Sequence, residues 1–65
     1  MTTSDTYWTM QTALTYGGTF MRHLAQAAIC ADPENRAALF AAIPRLERDY
    51  GPQSTLHQTL RNAAL

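Results

Sequence analysis

Sixty-five residues suffice for one small domain and leave no room for a catalytic domain beside a binding domain. Five arginines balance Asp5, Asp32, Glu34, Glu47 and Asp49, so the net charge is zero and no strong field steers the chain to nucleic acid or to anionic lipid. A hydrophobic content of 46% argues against an intrinsically disordered chain, but 11 of those residues are alanine, which predicts a thin core.

Valine is absent and isoleucine occurs only at positions 29 and 43, so strand propensity is low along the whole chain. The predicted fold is all-α, a single domain over residues 1–65 built as a small bundle of four to five short helices. The first helix is expected from Asp5 to Tyr16, capped by Ser4 or Thr3, with the Asp5 carboxylate at the positive end of its dipole. Thr3, Thr6, Thr9, Thr12 and Thr15 recur every third residue along it. Such a row spirals around a helix and reads as polar surface. Tyr7 and Trp8 are adjacent, so one is expected to anchor the core and the other to be exposed as a partner contact.

Gly17-Gly18 breaks the helix, and Thr19 is the predicted N-cap of a second helix over Phe20 to Cys30. Phe20, Leu24, Ala27 and Ala28, with Met21 beside them, are its expected apolar face, and Cys30 reads as a small buried hydrophobe. Asp32-Pro33-Glu34 combines an N-cap, a proline at the first helical position and an early carboxylate, so a third helix begins at Pro33. It carries Leu39, Phe40 and Ile43 and stops or kinks at Pro44, which opens a short fourth helix. There Arg45 and Asp49 are spaced to pair, as are Leu46 and Tyr50, before Gly51-Pro52 ends the run. Ser54 or Thr55 caps a last helix in which Leu56 and Leu60 share a face, and Leu65 ends the chain. Leu24, Leu39 and Phe40 are the predicted core. A disulfide-free, alanine-rich domain of this size is near the margin of independent stability, which predicts self-association into a homo-oligomer.

The inventory argues against an enzyme. Cys30 and His23 are two helical turns apart, about 10 Å along an axis, so they form no catalytic pair within one helix. Asp32 with Glu34, and Glu47 with Asp49, point away from each other at i, i+2. No nucleophile elbow occurs, and no phosphate loop of the lysine type exists because the chain has no lysine. One cysteine and two histidines, His23 and His57, make a structural zinc improbable on donor count, and no cofactor is implied. A helix-turn-helix would have Arg36 as the only basic side chain of its recognition helix, a poor reader of DNA. The N-terminus lacks the basic and apolar regions of a signal peptide, and no apolar stretch approaches the roughly 20 residues needed to span a bilayer. The expectation is a soluble cytoplasmic protein with no membrane partner.

One cluster has chemistry of its own. Tyr16-Gly17-Gly18-Thr19, followed by Arg22 and His23, sets free amides at a helix start with a guanidinium and an imidazole one turn in, a workable anion site. Tyr16 or Trp8 would stack on a base if the anion belonged to a nucleotide. The plainer reading is a tight turn between two closely packed helices.

The series Trp8, Tyr16-Gly17-Gly18-Thr19-Phe20, Leu24, Ala31-Asp32-Pro33-Glu34-Asn35, Leu39, Ala42-Ile43-Pro44 and Tyr50-Gly51 resembles a group of short bacteriophage and prophage proteins. These carry the pattern W…YGGSF…L…A…AD.EN…L…aFP…Y. The resemblance spans positions 8 to 51, with Thr19 in place of Ser and Ile43 in place of Phe. The group brings no activity that transfers to particular residues, but it implies a setting. In that setting the expectation is a non-enzymatic accessory protein, in the cytoplasm of the infected bacterium, that inhibits a defence component by occluding its surface as anti-CRISPR proteins do. The alternative is an oligomeric sponge that sequesters a phosphorylated nucleotide immune signal at Tyr16, Gly17, Gly18, Thr19, Arg22 and His23.

Overall fold

The computed structural model describes residues 1–64, and Leu65 lies outside the described residues. It is all-α, with five helices in one bundle: α1 (Thr3–Tyr16), α2 (Thr19–Cys30), α3 (Pro33–Ala42), α4 (Pro44–Tyr50) and α5 (Thr55–Ala63). The longest helix, α1, packs against α2, α4 and α5, whereas α3 leans on α2 and α4. Among the described residues no helix is long and apolar enough to cross a membrane.

Helix α1 begins two residues earlier than expected, because Thr2 and Asp5 form a capping box. The Asp5 amide donates to the Thr2 hydroxyl at 3.0 Å and the Thr2 amide donates to the Asp5 carboxylate at 3.3 Å. Neither Thr3 nor Ser4 is the cap. Arg61 of α5 then reaches Asp5 Oδ1 and Ser4 Oγ, each at 3.2 Å, and ties the last helix to the start of the first. The threonine row is not all surface. Thr9 and Thr12 are fully buried, each donating its hydroxyl to the carbonyl four residues back, Asp5 O at 2.7 Å and Trp8 O at 2.6 Å. A hydroxyl satisfied by its own helix enters the interior without stranding a donor.

Both glycines break the helix with negative φ, Gly17 at −73° and Gly18 at −72°, so neither needs left-handed backbone. Their roles differ. A Cβ on Gly17 would overlap the Ala13 carbonyl oxygen and lie 2.8 Å from the Met21 Cβ, whereas one on Gly18 would meet nothing within 4 Å. Gly17 therefore permits the close approach of α1 and α2. Gly18, rather than Thr19, is the N-cap of α2, and no side chain caps that end.

The buried face of α2 is Met21, Ala25 and Ala28, with Leu24 half-buried. Met21 and Ala28 of the expected face are thus buried, but Phe20 is 60% exposed and Ala27 is exposed, so the face is turned from the expected one toward Ala25. Packing through alanines beside Gly17 brings the backbones too close for a phenyl ring, which is left outside. Cys30 is exposed, not buried, because the same rotation carries it to the outer face.

Asp32 caps α3 as expected, accepting from the Asn35 amide at 2.9 Å. Arg36 turns back and donates from Nε to Ala28 O at 2.8 Å and from Nη2 to Ala31 O at 2.9 Å, supplying donors to the carbonyl end of α2. No residue of α3 is fully buried. The central core is Ala13, Met21, Ala25 and Leu46; the predicted core residues Leu24, Leu39 and Phe40 flank it half-buried, together with Leu14, Ile43 and Tyr50. In α4 Arg48, not Arg45, pairs with Asp49, at 3.1 Å and in water, where such a pair contributes little.

Ser54 caps α5, accepting from the His57 amide at 3.2 Å. The residue that α5 buries is His57, 2% exposed, while Leu56 is exposed and Leu60 half-buried. The helix is rotated from its leucine stripe for a polar reason. The His57 ring donates from Nδ1 to Tyr50 O at 3.0 Å, at the end of α4, which a leucine has no means to do. His57 Nε2 is buried without a hydrogen-bond partner among the described residues.

Candidate functional site

Two concave places bear on the residues singled out from the sequence. The first lies at the glycine turn. Thr19, Arg22 and His23, with Leu14 and Gln26, line a shallow pocket of about 230 Å3. Arg22 and His23 are exposed, and Arg22 makes no ion pair among the described residues. The fold thus gathers three of the six residues expected there. Tyr16 is exposed outside the pocket, and Gly17 and Gly18 are not in its walls.

The second place is a groove of about 620 Å3 between α1 and α3. One wall is Thr3, Thr6, Tyr7, Met10 and Gln11 of α1. The opposing wall is Pro33, Arg36, Ala37 and Phe40 of α3, with Ile29 near the end of α2 and Met1 at the edge. Each helical wall follows i, i+3, i+4, i+7 spacing, which lines residues up on one side of a helix. Tyr7, half exposed, belongs to this groove as the expected partner contact. Trp8 does not line it. Its half-buried ring meets Tyr7 edge-on, with centroids 5.1 Å apart and planes at 86°, so it props the tyrosine.

Met10, Ile29, Arg36, Ala37 and Phe40 were not singled out as a site. The α3 stripe is visible in hindsight as the 33, 36, 37, 40 series. Its convergence with α1 is not, since nothing local states that two helices 30 residues apart share a groove.

The groove offers apolar and aromatic surface with one guanidinium, and the pocket offers a guanidinium, an imidazole and a hydroxyl. Among the described residues no three His, Cys, Asp or Glu side chains converge as a metal ion would require. The Asp5 carboxyl is held below the usual carboxylate range chiefly by the Thr2 backbone amide, then by the Thr2 hydroxyl, with burial opposing and Arg61 adding. That shift belongs to the α1 cap and serves the fold.

The fold and its two concavities define a small five-helix all-α protein with an apolar groove beside its longest helix. Compared with known proteins, the chain matches no family model, no curated sequence and no solved structure.

Proposed function

We propose that this chain is a non-enzymatic bacteriophage or prophage accessory protein that inhibits a component of a bacterial defence system by occluding its surface. The observation that carries the reading is the α1–α3 groove, whose 620 Å3 are walled by Tyr7, Met10, Ile29 and Phe40. Large apolar and aromatic side chains in an open groove are the composition of the buried centre of protein interfaces. The phage setting comes from the sequence resemblance, and the groove supplies the means.

The test is phage plating on bacteria that carry a defined defence system and express the chain. Expression should restore plaques, and Tyr7→Ser, an exposed change, should remove the effect while leaving the helical circular dichroism intact. Unchanged plating against each system of a broad panel defeats the reading.

A second reading is favoured by the pocket of Thr19, Arg22 and His23: an oligomeric sponge for a phosphorylated nucleotide. Its volume of about 230 Å3 falls below the roughly 300–1,000 Å3 of sites that enclose a whole small molecule, so it would take a phosphate and leave the base outside. Titration calorimetry with cyclic di- and trinucleotides tests it, with Arg22→Ala weakening binding about tenfold through loss of one charge-assisted contact. Self-association belongs to the same proposals and rests on the zero net charge and the four-residue core. Light scattering that returns the monomer mass at all concentrations removes it.

A further inference from the structure

We infer that the α1–α3 groove receives an amphipathic helix of the partner protein that carries a carboxylate beside its apolar stripe, with Arg36 as the residue that selects it. The inference rests on the occlusion reading and names the partner's chemistry.

The shape argues for a helix. Two helical stripes converge on one groove, Tyr7 and Met10 from one side and Ala37 and Phe40 from the other. Ridges of a third helix fit the channel between two such stripes. The walls span eight and nine residues, about 10–12 Å, so roughly two turns of a partner are engaged.

The charge argues for an acid. Among the described residues Arg36 is the one charged side chain in the walls, and no carboxylate lines them. Its Nε and Nη2 are held by Ala28 O and Ala31 O, which fixes the plane of the guanidinium before any partner arrives. Its Nη1 amino group makes no hydrogen bond among the described residues. A planar, pre-oriented cation with free N–H groups at the side of an apolar groove recognises a carboxylate with strength and direction, and a helix bearing lysine at that place meets like charge instead.

The probes are two synthetic helical peptides of about 14 residues with leucines at i, i+3, i+4 and i+7 on an alanine background, one with glutamate and one with lysine flanking the stripe. Amide chemical shifts of the labelled full chain are followed during titration. The glutamate peptide should move the amides of Tyr7, Met10, Ala37 and Phe40 saturably and bind about tenfold tighter than the lysine peptide. Arg36→Gln should erase that difference. Because Arg36 also caps α2, the wild-type comparison stands by itself if this variant unfolds. Equal affinities, shifts confined to other surfaces, or no shifts with either peptide overturn the inference. So does movement of the same amides when the chain alone is diluted from about 1 mM to about 10 µM, which gives the groove to a second copy. If the peptides fail while Tyr7→Ser still abolishes phage rescue, this inference falls and the occlusion reading stands.

Discussion

The two sides of α1 are built from different materials. Toward α2, α4 and α5 it presents Thr9, Thr12 and Ala13, all fully buried, and meets Ala25 and Leu46 with no exposed surface left. Toward α3 it presents Tyr7 and Met10, and the facing helix has no fully buried residue. Small residues of α1 close one side against Ala25 and Leu46, whereas on the other Met10 is buried at the base of the groove and Tyr7 stays half exposed. The contrast teaches that α1 is sealed where its own side chains are small enough for neighbouring helices to press on it, and keeps exposed aromatic surface where α3 stands off.

The largest expected effect lies on the closed side. Leu46→Ala removes the largest wholly buried side chain, and a cost of roughly 2–5 kcal/mol is expected. Half-buried Phe40 should cost about half as much as a fully buried phenylalanine on truncation to alanine, roughly 1.5–2.5 kcal/mol. Urea unfolding of both variants measures the contrast, and a Phe40→Ala loss equal to or above that of Leu46→Ala breaks it.

Next in size is the helix approach. Gly17→Ala forces a Cβ against the Ala13 carbonyl oxygen and the Met21 Cβ, so α1 and α2 must part, at about 1–3 kcal/mol. Gly18→Ala enters open space at a φ that alanine accepts, and the unfolded-state gain is offset by alanine's poorer fit at an N-cap, so the change should be within about 0.5 kcal/mol of neutral. Thermal melts of the two variants should therefore move in different directions or by clearly different amounts.

On the open side, Tyr7→Ser should change stability by less than about 0.5 kcal/mol while it alters whatever the groove binds. A large fall in its melting temperature would show that the tyrosine holds the fold.

The smallest effect is electrostatic. The Asp5 carboxyl is lowered in the folded chain relative to the unfolded reference of about 3.9, so its contribution is full above that reference and is lost as pH falls through the folded value. Stability should therefore decline on acidification below about pH 4 in part through Asp5. Asp5→Asn should flatten that portion of a melting-temperature profile and leave its slope near neutral pH unaltered.

Legibility followed the range of the signal. Asp32-Pro33, Ile43-Pro44, Gly51-Pro52 and Ser54 mark helix ends at the positions found, because a cap or a proline acts within a few residues. Thr2 was missed as a cap since its partner Asp5 was read as part of the first turn rather than as half of a reciprocal box. The glycine turn was recognised as both a possible site and a packing device, and Gly17 serves the second. The sequence says only that one of Tyr7 and Trp8 is exposed; the structure exposes Tyr7, and the α3 wall opposite it has no signal in the local sequence.

By itself the sequence determined the helix count, the breaks and the thin core, since propensity, capping and alanine content are properties of short stretches of chain. The tertiary structure alone decided which way each helix faces. An alanine-rich helix has little contrast between its sides, so α2 turned Met21 inward and Phe20 and Cys30 outward once Gly17 let it press on α1. Likewise α5 buried His57 because Tyr50 O needed a donor, and α1 buried two threonines because their hydroxyls were already satisfied. The groove lies where α3 leans on α2 and α4 rather than on α1, so that Tyr7 and Ile29 keep exposed surface there.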